Sequence, residues 1–93
     1  MTKGTRRGTL KLQHHPDYQL WSRNVRRQVL GYLEEEPKYS IWDAIDCERS
    51  VLMLTRASAR EANYTWAVDQ VNGMLVALSE FEIIARTNRR ENA

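Results

Sequence analysis

Ninety-three residues make one domain at most, and a domain this small buries only roughly 60–65% of the surface its unfolded chain exposes. A formal charge of +2 is too small to mark a nucleic-acid binder by bulk charge, and a single cysteine, Cys47, excludes an intrachain disulfide. No apolar run approaches the ~20 residues of a membrane span, so a soluble cytoplasmic protein is expected, with no membrane partner.

Met1 to Pro16 carries Lys3, Arg6, Arg7 and Lys11, with two glycines and little apolar content. It reads as a flexible basic N-terminal arm, 1–16. Arg6-Arg7 resembles a twin-arginine export signal. The apolar segment that such a signal requires is missing, because Gln13-His14-His15-Pro16-Asp17 follows at once. Thr9 to Gln13 alternates and could add a short strand to a partner, although a disordered tail is the simpler reading.

A helical domain is expected over 17–88. Its first helix runs from about Asp17, a suitable N-cap or first-turn acid, to Glu35. Tyr18, Trp21, Val25, Val29, Tyr32 and Leu33 share one stripe at helical spacing. Arg23, Arg26 and Arg27 fall away from it and are candidates, with Arg6, Arg7 and Lys11, for contact with a partner or with nucleic-acid phosphates. Glu34, Glu35 and Glu36 form an acidic patch at the negative end of the helix dipole, and Pro37 ends the helix.

Ser40-Ile41-Trp42-Asp43 has the spacing of a capping box with Asp in place of Glu. The five-residue connection makes the second helix fold back on the first. Ile41, Ala44, Ile45, Val51, Leu52 and Leu54 give it a broad apolar face. Asp43, Asp46 and Glu48 read as a solvated face of that helix.

Tyr64, Ala67, Val71, Met74, Leu78, Phe81 and Ala85 form an unbroken 3-4 ladder of apolar residues, which demands cover by another helix. Carried backward, the same register meets Arg60, Ser50, Asp46 and Asp43. The chain either turns between Ser58 and Asn63, giving a three-helix bundle, or runs as one helix from Ile41 to Thr87, about 70 Å long. The absence of Gly and Pro from Lys38 to Asn72 slightly favours the long helix, a hairpin with the first. The reverse side of the ladder carries Trp66, Val76, Ile83 and Ile84, with Gly73 among them, and these five are the candidate oligomer interface. Arg89 and Arg90 lie in a basic tail, 89–93, that frays.

Chemistry-bearing patterns are weak. His14-His15 lacks the spacing of a helical metal pair, and there is no phosphate loop and no nucleophile elbow. The expectation is an all-α, oligomeric, non-enzymatic protein with no cofactor and no metal.

Ala62 to Leu78, ANYTWAVDQVNGMLVAL, resembles Trp- and Gly-containing helices in small accessory proteins of tailed bacteriophages. That resemblance implies a virion assembly component or a host-directed inhibitor, acting in the host cell or the virion, and it transfers no functional residue. The sequence therefore points to a helical protein-interaction and self-assembly module. The alternative is a nucleic-acid-associated protein that binds phosphates through the arm and first helix.

Overall fold

The computed structural model describes residues 12–92. A short 3-10 turn at Leu12–His14 leads into three helices: α1 Tyr18–Glu35, α2 Ile41–Glu61 and α3 Thr65–Asn92. The helices pack as a three-helix bundle, and no strand occurs among the described residues. Arg6, Arg7 and Lys11 lie outside the described residues. The last helix continues to Asn92, beyond the expected boundary at 88.

Local chemistry sets the element ends. Asp17 occupies the N-cap position of α1 without a side-chain capping bond. Its backbone N–H donates instead to Nδ1 of His15 at 3.0 Å. At α2 the capping box is complete: the Asp43 N–H donates to Ser40 Oγ at 3.1 Å, and the Ser40 N–H donates to Asp43 Oδ2 at 3.0 Å. Two donors that the helix start would leave unsatisfied are thereby paired.

A continuous helix from Ile41 to Thr87 does not form. The chain breaks at Ala62-Asn63-Tyr64, where Asn63 takes φ 62°. The Tyr64 N–H donates to the Ala59 carbonyl at 2.9 Å and the Asn63 N–H to the Arg60 carbonyl at 3.1 Å. These are the two bonds of a Schellman cap, with asparagine in the left-handed position that glycine usually fills. The loss of register behind Tyr64 was the outward sign of this turn.

Folded back, α2 and α3 are clamped along one edge. Arg49 reaches Glu82 at 2.6 Å and Arg56 donates to Asn72 Oδ1 at 2.9 Å, while Arg86, within α3, holds Glu82 from the other side at 2.9 Å. Val25 and Val29 of α1, Ala44, Ile45 and Leu52 of α2, and Val71, Ala77 and Leu78 of α3 form the common core. α1 meets α3 at Gly73, where the Trp21 ring fills the space that a side chain would take: a Cβ there would stand 2.1 Å from Trp21 Cε3. The His15 ring stacks on the same indole at 4.5 Å.

The bundle is thin and long. Its extents are 46 × 32 × 19 Å, the smallest about two helix diameters. The radius of gyration is 15.0 Å, against roughly 12 Å for a compact domain of this length. The 28 residues of α3 alone span about 42 Å. The 18 residues of α1 therefore cover only part of the α2–α3 pair.

Candidate functional site

The apolar face of α2 is interrupted by one acid. Ala44, Ile45 and Leu52 point into the core, and Glu48 shares their stripe at i+4, i+3 and i−4. Helical geometry thus carries the carboxylate inward, and Glu48 is 3% exposed. It does not belong to a solvated face. Of the acids grouped with it in the sequence, Asp43 closes the cap and Asp46 pairs with Arg49 at 3.2 Å.

Glu48 is incompletely satisfied. Among the described residues its one hydrogen bond comes from the Tyr32 hydroxyl, which donates to Oε1 at 3.3 Å. Burial raises the carboxyl above the ordinary glutamate range, and the Tyr32 bond opposes that shift only in part. The Tyr32 phenol is raised as well, by burial first and then by the negative charge of Glu48.

This carboxylate lies in a groove of about 410 Å³ where the three helices meet. Tyr32 of α1, Leu52 of α2 and Met74 of α3 line its walls, and Val51 and Trp66 are its apolar, exposed rim. The polar residues along it other than Glu48 and Tyr32 are Gln28, Thr55 and Gln70, and no basic side chain lines it. Trp66 is 68% exposed and stands 6.1 Å, ring to ring, from Tyr64. Leu54, one turn from Val51 on α2, is 71% exposed. A buried acid beneath a rim of exposed apolar side chains suits a cationic group carried on an apolar surface.

The five candidate interface residues separate. Trp66 is on the groove rim, and Ile83 and Ile84 are exposed toward the far end of α3. Val76 is partly buried against the core. Gly73 is buried under Trp21 of the same chain, so its missing side chain serves α1–α3 packing and is not available to another molecule.

Arg23, Arg26 and Arg27 do come together. They line a cleft on the outer side of α1 with Leu30, Gly31 and Glu34, and none of the three has an ion-pair partner among the described residues. A Cβ added at Gly31 would meet nothing within 4 Å, so packing within the chain does not account for this glycine. Glu34, Glu35 and Glu36 are all exposed, and Glu34 borders the arginine cleft.

A second acid–phenol pair pins the start of the fold. Tyr18 donates to Glu80 Oε1, and Gln13 donates to Oε2 at 2.9 Å. The Tyr18 bond, followed by that of Gln13, holds the Glu80 carboxyl below its ordinary range. Burial and then Glu80 push the Tyr18 phenol up. Cys47 is half-buried. No group of three or more metal-ligating side chains occurs among the described residues, and none of their helices is long and apolar enough to cross a membrane.

No protein-family model matches the chain, and no curated protein or solved structure shows significant similarity to it.

Sequence reasoning put Glu48 on a solvated face and passed over Gly31. For Glu48 a signal existed, an acid inside the 41-44-45-48-52 stripe. For Gly31 there was none, because a helical glycine looks the same in sequence whether it is packed or bare.

Proposed function

We propose that this chain is a non-enzymatic helical module for protein interaction and self-assembly, and that its working surface is the Trp66 groove. One observation carries the reading. An indole 68% exposed and Val51 form the rim of a groove with a poorly satisfied carboxylate. Exposed aromatic and aliphatic groups around a recess are what binding surfaces present before a partner covers them. The thin intrachain cover of α3 supports the same reading. On the resemblance of 62–78 to phage accessory proteins, the proposed setting is an infected bacterial cell or a virion, with a role in assembly or in host-directed inhibition.

The test is solution mass by sedimentation equilibrium over a concentration series, run on the wild type and on Trp66→Ser. Self-association of the wild type and its loss in the variant support the proposal. A wild type that stays monomeric throughout contradicts self-assembly.

A second reading rests on the three arginines of α1 that lack ion-pair partners. Together with the arm they would bind nucleic-acid phosphates. Glu34 in the same cleft and the adjoining Leu30 weigh against it. Binding to a duplex that falls steeply with salt supports this reading, and salt-insensitive binding or none rejects it.

A further inference from the structure

The groove and the outer face of α1 complement one another. At 100° per residue, Leu20, Arg23, Arg27 and Leu30 fall within a sector of about 80° on the side of α1 opposite Val25 and Val29. Leu20 and Leu30 are both about half-exposed, an unusual pair to leave on the polar back of a helix. Arg23 and Arg27 lie between them without an ion-pair partner among the described residues. Gly31 leaves a bare notch beside them. The groove offers the reverse: an acid without a basic partner, framed by Val51 and by a projecting indole.

We infer that the occupant of the groove is the outer face of α1 from a second copy of this chain, with Arg27 directed to Glu48 and the receiving copy's Trp66 lying over the Gly31 notch. The inference rests on the self-assembly reading above and adds the partner and the contact.

Charge argues for this occupant. The groove holds one buried carboxylate and no cation, and the α1 face holds arginines flanked by leucines. Arginine is the cation suited to such a site, because its planar guanidinium is weakly hydrated and binds a carboxylate with two parallel bonds. Size argues for it as well. Leu20 to Leu30 spans about 15 Å of helix, and Glu48 to Thr55 spans about 10 Å of the groove. The notch supplies a third match. Glycine inside a helix is unfavourable by roughly 1 kcal/mol relative to alanine, and nothing in the same chain explains it at position 31.

The giving and receiving faces are separate surfaces, so each copy gives one and receives one. Two copies exchange faces reciprocally, or the contact propagates head to tail.

The separation of the faces makes the contact testable by mixing. Trp66→Ser disables the receiving face, and the double variant Arg23→Ser/Arg27→Ser disables the giving face. All three positions are exposed, so both proteins keep wild-type helicity by circular dichroism. Each alone is expected to be monomeric in sedimentation velocity, and a 1:1 mixture forms a two-chain species through its one intact contact. Glu48→Gln weakens wild-type association by at least about tenfold, the loss of one desolvated charge pair. If the wild type assembles and Trp66→Ser abolishes assembly while the arginine variant assembles normally, the inference is overturned and the self-assembly reading stands. Failure of the mixture to form the two-chain species also overturns the inference. A wild type that is monomeric at its highest soluble concentration overturns both.

Discussion

The Tyr32 hydroxyl donates to Glu48 at 3.3 Å, and among the described residues it is the one hydrogen-bonding partner of a carboxylate that is 97% removed from solvent, its exposure being 3%. The pair is a weak point at the centre of the fold. A buried carboxylate with a single long hydrogen bond from a neutral phenol is destabilised when charged, and the raised carboxyl states the same fact.

Glu48→Gln is therefore expected to stabilise the isolated chain at neutral pH, by on the order of 1–3 kcal/mol, the desolvation penalty of an incompletely paired polar group. The amide keeps an acceptor for Tyr32. The pH dependence has a definite sign. A carboxyl raised in the folded state holds its proton where the unfolded chain has released it, so stability falls as pH rises from about 4.3, the unfolded value, through the folded value. Glu80 acts in the opposite sense, since its carboxyl is lowered and its contribution is lost as pH falls. Urea unfolding of wild type and variant across pH isolates Glu48 in the difference: the gap widens with rising pH. A gap that is constant or narrows with pH contradicts the buried placement.

Gly73→Ala forces a methyl group to within 2.1 Å of the Trp21 ring. Overpacking of this kind destabilises by about 1–3 kcal/mol, which outweighs the gain of roughly 1 kcal/mol in helix propensity. Thermal unfolding should show a lowered midpoint, and adding Trp21→Leu should recover part of it. Gly31→Ala is the control at the bare site: it should raise stability by up to about 1 kcal/mol. Equal effects at the two glycines would contradict the α1–α3 contact.

Asn63→Gly should be neutral or slightly stabilising. Asn63→Ala should destabilise by about 1–2 kcal/mol, because φ 62° places Cβ against the following carbonyl. Denaturant midpoints of the two variants check the turn. If alanine proves as good as glycine, α2 and α3 are not separated by a left-handed cap.

Much of the architecture was legible because it depends on local rules. The Tyr18–Leu33 stripe and Pro37 bounded α1, and Ser40 with Asp43 marked the start of α2 correctly. The α2–α3 turn stood as one of two alternatives, with the long helix slightly favoured because only glycine and proline were counted as breakers, while Asn63 takes the left-handed conformation with a side chain short enough to tolerate it. The site was less legible. Glu48 is five residues from Asp43, which caps, and two from Asp46, which is exposed, and only its register with Ala44 and Leu52 distinguished it. Gly73 and Gly31 are alike in sequence, and which of them lies under a ring depends on where α1 meets α3.

The groove also predicts a change in the indoles. Trp66 is largely exposed and Trp21 is 5% exposed, so self-association through the rim should shift tryptophan emission to the blue with rising concentration. Trp66→Ser should remove that shift while leaving the Trp21 contribution. A concentration-dependent shift that survives the substitution would assign the contact to another surface.

The most direct measurement is sedimentation equilibrium of the wild-type chain beside Trp66→Ser at matched concentrations. An average mass that rises above 10.9 kDa with concentration for the wild type, and stays at the monomer value for the variant, is the predicted result. A single monomeric mass for both at every concentration would contradict the claim that the Trp66 groove is covered by another copy of this chain.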